Sequence, residues 1–328
     1  MTKLNRRRLG ANGPHVTSPA LGGMSLSGAY GPVDDEASVR VIHAYLDAGG
    51  TLIDTADFYA AGHNEMLIAG ALRERHRDDA VLSVKFGAHV TPTGIPSGFD
   101  GRPQAVKSSL TYSLQRLGTD HVDIYRPARL DPHVPIEDTV GAVQELVEGG
   151  YVRHIGLSEV GADTIRRAAA VAPISDVQIE YSFLSRDIER NGILDTCREL
   201  GIGITAYSVL AKGIIGGGTT GGARALFPRL QGANLEHNRA LVAPLREIAD
   251  AHGATLAQLA IAWVAAQDES IVPIVGARRI DQIESMIGSC DVTLDDDELA
   301  RIDALVPQGA AKGERYPAPA MAELDSER

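Results

Sequence analysis

The chain predicts an α/β fold of the (β/α)8 TIM-barrel class, with an N-terminal β-hairpin before the barrel and an extra helix and tail after it. Three observations predict it. Eight short apolar or β-branched runs recur along the sequence, segments with helical spacing lie between them, and the repeat of about 25 to 40 residues matches a strand-helix unit. The rival, a doubly wound open sheet, fits less well because the first strand-helix turn lacks G-x-G-x-x-G. With 328 residues and 44% hydrophobic content, the chain reads as one barrel domain spanning 1–328.

The elements follow in order. Residues 6 to 18 alternate around Gly10-Ala11-Asn12-Gly13, a turn signal that predicts a hairpin closing one end of the core. The eight strands are expected at Ala20 to Gly22, Leu52 to Thr55, Val81 to Lys85, Val122 to Tyr125, Val152 to Leu157, Val177 to Tyr181, Ile202 to Tyr207 and Ile271 to Val275. Helical spacing covers Glu36 to Ala48, Asn64 to Arg75, Pro103 to Leu117, Ile136 to Glu148, Ala162 to Val171, Asp187 to Leu200, Ala240 to Ala251 and Leu256 to Gln267. Between the last two strands, KGIIGGGTTGGAR (Lys212 to Arg224) is too glycine-rich to be rigid and reads as a lid or a disordered loop. Asp295 to Leu305 is an amphipathic helix with an acidic first turn, and the proline-rich tail GERYPAPAMAELDSER is expected to be extended, folded over the active face or frayed.

Composition narrows the function. Forty-three acids against 31 bases give a formal charge of −12, which opposes non-specific attraction to nucleic acid or an anionic membrane. No apolar run approaches the roughly 18 residues of a spanning helix, and Arg6 to Arg8 are not followed by the apolar core of a signal peptide. A cytoplasmic protein is the expectation. Cys197 and Cys290 lack metal-ligand neighbours, so neither a disulfide framework nor a zinc site is expected. Oligomeric state is not readable from the sequence.

In a barrel, reacting groups come from the carboxyl ends of several strands. Thr51 to Glu65, TLIDTADFYAAGHNE, places Asp54 at such an end with Tyr59 just beyond, and Lys85 sits at the end of the next strand, VLSVKFG. A buried Asp-Lys pair of purely structural use is one reading. The other is proton transfer: an inward lysine needs an anionic partner, Asp54 would hold it charged, and the cation would lower the phenol's pKa from its usual value near 10.

At these residues the chain resembles the aldo-keto reductase family over almost its whole length. The matching pieces are DTADFY with Gly62 and Glu65, LSVKFG, RLGTDHVDIY, GYVRHIGLSEV, QIEYS, AYSVLAKG and IVPIVGARR, in order on the expected strand ends. The resemblance implies an (α/β)8 barrel that binds NADPH (NADP+) and reduces small aldehydes, ketones or sugar carbonyls, with Asp54, Tyr59 and Lys85 at three of four catalytic positions and Tyr59 as general acid. The fourth departs: where the family usually reads H-R-x-D, this chain reads Ala128-Arg129-Leu130-Asp131. Losing one preorganised donor to a developing oxyanion typically lowers rate by about 10²- to 10³-fold. Either another donor substitutes, with His63, His89, His133 and Arg129 as candidates, or the substrate needs only Tyr59, or turnover is weak.

The same resemblance implies cofactor contacts. Gly23, Met24 and Asp54 fall at cofactor positions, and Ser158, Glu159 and Gln178 would bond the nicotinamide carboxamide, Glu159 replacing an asparagine. Tyr207 would stack on the nicotinamide, and backbone near Ser208, Leu210, Lys212 and Gly213 would approach the pyrophosphate. After the eighth strand, Gly276-Ala277-Arg278-Arg279 opens a helix where two arginines oppose the macrodipole unless an anion, such as the 2′-phosphate of NADPH, lies between them. Gln282 stays in place, while Ser285 and Met286 replace the residues that grip adenine. Tyr30, Phe58, Phe86, Phe227 and Tyr316 are candidate pocket aromatics, and Trp263 reads as core. Two other functions remain: an NADPH-binding regulatory or sensor subunit with little turnover, and a metal-assisted barrel enzyme using Asp54, Asp57 and Glu180.

Overall fold

The computed structural model describes residues 3–29, 31–73, 75–94, 96–218 and 222–327. A hairpin of β1 (Asn5–Arg8) and β2 (His15–Ser18) comes first, as the turn signal predicts. The barrel follows with β3 (Ala20–Gly22), β4 (Leu52–Ala56) and β5 (Val81–Phe86); β6 (Ala88–Val90) and β7 (Pro96–Phe99) then make a small antiparallel hairpin. It continues through β8 (Val122–Pro127), β9 (Val152–Ser158), β10 (Ile174–Glu180), β11 (Gly203–Tyr207) and β12 (Ile271–Gly276). The order β3-β4-β5-β8-β9-β10-β11-β12 is parallel throughout, and β12 pairs with β3 to close it. All eight predicted runs are barrel strands.

The period-2 alternation of each strand decides what fills the barrel. Outward residues such as Ile53, Val84, Tyr125, Val177 and Ile204 join the large core against the helices. Inward residues divide into two layers. The lower one is apolar, with Leu52, Ile124, Val272 and Ile274 packed on Leu9 and Val16 of the hairpin, so the hairpin seals the amino end. The upper one is polar and carries Asp54, Ser83, Lys85, Arg126, Asp176, Gln178 and Thr205, all buried.

The helices are α1 (Asp35–Asp47), α2 (His63–Leu72), α3 (Pro103–Leu117), α4 (Ile136–Glu148), α5 (Ala162–Ala169) and α6 (Ile193–Leu200). They continue with α7 (Gly232–Val242), α8 (Leu245–Ala251), α9 (Leu256–Ala266), α10 (Ile280–Gly288), α11 (Asp296–Leu305) and α12 (Ala318–Ala322). Three expectations are corrected. The pattern from Asp187 to Leu200 breaks into a 3₁₀ turn and α6, because Gly192 is left-handed at φ 82°. The pattern from Ala240 to Ala251 spans two helices, divided around Ala243 and Pro244 where proline cannot continue the hydrogen-bond ladder. The tail is not simply extended: Pro317 and Pro319 sit at the cap and first turn of α12, where a missing N–H does no harm.

α11 behaves as its sequence predicts. Asp295 caps it and forms a reciprocal capping box with Glu298. Of the glycine-rich loop, residues 219–221 lie outside the described residues, as does Tyr30. No helix among the described residues is long and apolar enough to cross a membrane.

Candidate active site

β4 and β5 pair so that Asp54 faces Ser83 and Ala56 faces Lys85, which brings the two inward side chains together across neighbouring strands. Lys85 Nζ donates to Asp54 Oδ2 at 2.6 Å and to the Thr55 carbonyl at 2.9 Å. Both side chains are buried. Asp54 Oδ1 accepts from Ser83 Oγ at 3.0 Å and from Gln178 Nε2 at 2.8 Å, so three strands fix one carboxylate. Two of the three ammonium protons are thereby used, and one is left.

Tyr59 leans over this pair. Lys85 Nζ lies 4.8 Å from the centre of its ring, and Phe58 packs edge-on at 5.0 Å. The phenol hydroxyl has no hydrogen-bond partner among the described residues. One expectation is reversed here: the phenol's pKa is pushed well up, not down, because burial and the nearby Asp54 charge outweigh the cations Arg129 and Arg126. Burial also pushes Lys85 below the usual lysine value, against the pull of Asp54. Tyr59 is therefore a protonated donor at neutral pH.

The rim is strained where these groups sit. Among the described residues, all six non-glycine residues with positive φ, Ala60, Ala61, Glu159, Ser208, Ala211 and Lys212, lie on loops after β4, β9 and β11. Such conformations each cost on the order of 1–3 kcal/mol and persist where surrounding structure holds them. Gly23 shows the same crowding, since a Cβ there would sit 2.8 Å from Asn64 Oδ1 and from the Asp54 carbonyl. Met24 beside it is exposed.

At the end of β9, the buried Ser158 Oγ has no partner, an orphaned polar atom at the position expected to meet a carboxamide. Glu159 departs from expectation. Its Oε1 accepts from the Glu180 N–H at 3.0 Å, the Tyr207 hydroxyl at 2.7 Å and Arg315 Nη1 at 3.2 Å. Its Oε2 accepts from Arg315 Nη2 at 2.9 Å and Ser326 Oγ at 2.6 Å. Burial alone would push this carboxyl up, but Arg315, Arg129 and Ser326 hold it far below the usual carboxylate range. Five donors saturate the four or so lone-pair sites of a carboxylate, so Glu159 holds the tail rather than a carboxamide.

The tail is thus folded over the active face. Tyr316 and Tyr207 hydroxyls lie 2.8 Å apart, Gly161 N–H donates to Asp325, and Phe227 packs against Tyr316 at 5.6 Å. Lys212 Nζ binds Glu180 at 2.6 Å and lies over the rings of Phe227 and Tyr316. Leu210 and Gly213 flank it on the same loop, where the Gly213 N–H bonds the Leu210 carbonyl. Phe86 is corrected: it stacks on Tyr125 in the core at 4.2 Å and does not line a pocket. Trp263 is core, as expected.

Beyond β12, a cleft of ≈ 630 Å³ is lined by residues including Pro32, Gly217, Arg224, Arg278, Arg279 and Gln282. The Arg278 N–H donates to Gln282 Oε1 at 2.8 Å and its guanidinium to the Pro32 carbonyl at 2.6 Å. Arg279 departs from expectation, because Asp281 pairs with it at 2.8 Å on the surface and supplies the anion at the helix start. Gly276 ends β12, two residues before Arg278.

Two features were missed by reading the sequence. Arg126 and Asp176 form a fully buried pair at 2.6 Å inside the barrel, and Gly156 stands beside them because a Cβ would meet both at 3.0 Å. The signal was present: a charged residue at an inward position on each of two strands. The other is the latch of Arg315 on Glu159, for which separation of 156 residues leaves no local signal. No group of three metal-ligating side chains occurs among the described residues, and Asp54 and Glu180 are both bound to lysines.

Fold and site together define a (β/α)8 barrel with a buried lysine–aspartate pair and a phenol above it at its carboxyl rim. The model of the Aldo/keto reductase family matches residues 20–307, and the chain belongs to that family, oxidoreductases that act on carbonyl compounds and generally use nicotinamide cofactors. "Probable aldo-keto reductase 1" from Glycine max is 41% identical over 317 residues, 94% of this chain and 91% of that one. A glycerol dehydrogenase from Gluconobacter oxydans superimposes with a TM-score of 0.85 at 26% identity, covering 94% of this chain and 97% of its own. A thermostable aldo-keto reductase solved with the inhibitor epalrestat gives 0.74 at 30% identity, covering 92% and 100%.

Proposed function

We propose that the protein reduces small aldehydes, ketones or sugar carbonyls with NADPH, using Tyr59 as the general acid. The observation that carries this reading is the Tyr59 phenol, protonated and without a hydrogen-bond partner among the described residues, set over the Lys85–Asp54 pair. The residues present suit a nicotinamide cofactor. Ser158 Oγ is an unpaired buried group where a carboxamide would bond, the Tyr207 ring is fixed by its hydroxyl contacts, and Arg278 with Gln282 lines a cleft suited to the phosphorylated ribose. Gln178 binds Asp54 through its amide nitrogen, which aims its oxygen elsewhere and leaves it to accept.

NADPH, when bound, supplies the hydride. The protein's part is the proton. Tyr59 gives its proton to the carbonyl oxygen, and the phenolate that results is stabilised by the remaining Lys85 proton, with Asp54 keeping the ammonium charged and in place. The raised phenol pKa keeps the acid loaded before the step. The tail and the loop after β11 cover the site and limit access of water to it.

The direct test is Tyr59→Phe. Turnover of NADPH with a panel of aldehydes and ketones should fall by at least about 10²- to 10⁴-fold, while NADPH binding, read by fluorescence titration, changes little. Full activity in the variant would remove Tyr59 from the role.

A further inference from the structure

We propose that Arg129 is the specificity-determining residue of this site and that the substrate is a carbonyl compound carrying its own anionic group, a carboxylate or a phosphate. The inference rests on the reductase reading above and adds the substrate class to it.

The balance of charge at the rim leads there. Asp54 is taken by Lys85 at 2.6 Å, Glu180 by Lys212 at 2.6 Å, and Glu159 by Arg315 at 2.9 Å. Arg129 follows β8 and is half-buried, yet among the described residues its guanidinium makes a single hydrogen bond, from Nη1 to the adjacent Ala128 carbonyl at 2.6 Å. No carboxylate lies within 4.0 Å of it among the described residues. A half-buried guanidinium in this state has donors to spare, and the one carboxylate whose charge it feels, Glu159, is already bonded to Arg315.

Its location selects the substrate rather than the cofactor. Its charge reaches Tyr59, Lys85, Tyr207 and Tyr316 around the proton donor, and also the Glu159–Arg315 pair, whose two charges already answer each other. The loop after β11 and the Arg278 cleft after β12 lie three and four strands away around the barrel. An anion drawn to Arg129 is therefore attached to the molecule that Tyr59 protonates.

The small residue at 128 fits the same reading. Ala128 is 2% exposed and its side chain offers no donor, while His63 is paired with Asp35 at the surface and His89 and His133 are exposed. Orientation that a histidine would give through the carbonyl oxygen is supplied here through the far end of the substrate. A planar guanidinium suits this because it binds a carboxylate or phosphate through two parallel hydrogen bonds.

The experiment compares matched pairs: succinic semialdehyde against butanal, and glyceraldehyde 3-phosphate against glyceraldehyde, in the native protein, Arg129→Gln and Arg129→Lys. The expected result is a native preference for one anionic member. Arg129→Gln should erase that preference by about 10- to 10²-fold, mostly in KM, with the neutral partner changed less than about threefold; Arg129→Lys should restore part of it. The pair that responds tells carboxylate from phosphate. Equal losses on anionic and neutral substrates would overturn the proposal, as would a native preference for the neutral members.

Binding gives a separate readout. Succinate and inorganic phosphate are titrated calorimetrically into the protein with and without NADPH; saturable binding lost in Arg129→Gln supports the site, and no binding to the native protein overturns it. If no carbonyl is reduced by the native protein, the reductase reading fails and the titration alone decides on Arg129. Melting curves of both variants confirm that they fold.

Discussion

Two buried ion pairs occupy the upper half of the barrel, with different consequences. Lys85–Asp54 and Arg126–Asp176 both close at 2.6 Å. Arg126 and Asp176 are fully enclosed: the arginine also donates to Thr205 Oγ1, Ser83 Oγ and the Leu157 carbonyl, and Asp176 accepts from Ser175 and Thr205. Lys85 keeps one proton unassigned and has a phenol ring above it. Arg126 Nε has no partner among the described residues, but it is enclosed in the barrel; a pair sealed from any cleft fixes structure, and a pair with one valence open towards a cleft can do chemistry. Ser83 links the two, since its hydroxyl binds Asp54 and it accepts from Arg126.

The difference is tested most strongly by removing one cation from each. Lys85→Met should lower kcat by roughly 10²- to 10⁴-fold, because the phenolate loses its cation. Arg126→Met should lower stability by about 3–5 kcal/mol in chemical denaturation, since Asp176 is left buried and unpaired, while the folded fraction keeps kcat within several-fold. Equal loss of kcat in both variants would break the distinction and make the inner pair part of the reacting unit.

The latch of the tail gives a smaller effect. Arg315 joins Glu159 at 2.9 Å and Glu180 at 3.6 Å, and Glu327 closes on it at 2.6 Å. Arg315→Met leaves both inner carboxylates short of a cation, so the tail should release and trypsin should cut it several-fold faster, with KM for NADPH and substrate raised more than kcat is lowered. The folded-state pKa of Glu159 is depressed, so its share of the stability is present above about pH 4.5, the unfolded value, and is lost only as pH falls through the much lower folded value. Native-like tail proteolysis in the variant at neutral pH would show that the latch is incidental.

Most of the barrel was legible because strand and helix periodicities are local and repeat eight times. Asp54, Lys85 and Tyr59 were legible because an inward charge at a strand end has few uses. Three things were not. The direction of the Tyr59 shift depends on its burial first and on the nearby Asp54 charge second, a matter of tertiary packing. The employment of Glu159 depends on Arg315 and Ser326, more than 150 residues away in sequence. Helix ends at Gly192 and Pro244 were overrun because apolar spacing continues through them, although the glycine and proline themselves were the signal.

The smallest expected effect concerns a third group in the same half of the barrel, one that forms no ion pair among the described residues and feels Arg116 only as a weaker, opposing charge. Asp57 follows β4; its Oδ2 receives only a long contact from the Gly87 N–H at 3.4 Å, and its Oδ1 is buried without a partner. Burial first and the Glu65 charge second push its pKa up to about 7. The unfolded value is 3.8, so the folded chain holds a proton that the unfolded chain has released between the two values. Its contribution to stability is therefore complete below about pH 3.8 and declines as pH rises through about 7, opposite in sign to Glu159. Asp57→Asn keeps the shape and removes the titration. Its melting temperature should exceed that of the native protein at pH 8, by about 2–4 °C for each kcal/mol recovered, and the gap should narrow at pH 5 and close only near pH 3.8. A gap of the same size at pH 8 and pH 5 would place the effect in packing or hydrogen bonding. Asp57 would then belong with Arg126 and Asp176 as a fixed part of the frame, and not with the groups at the rim whose charge state depends on their surroundings.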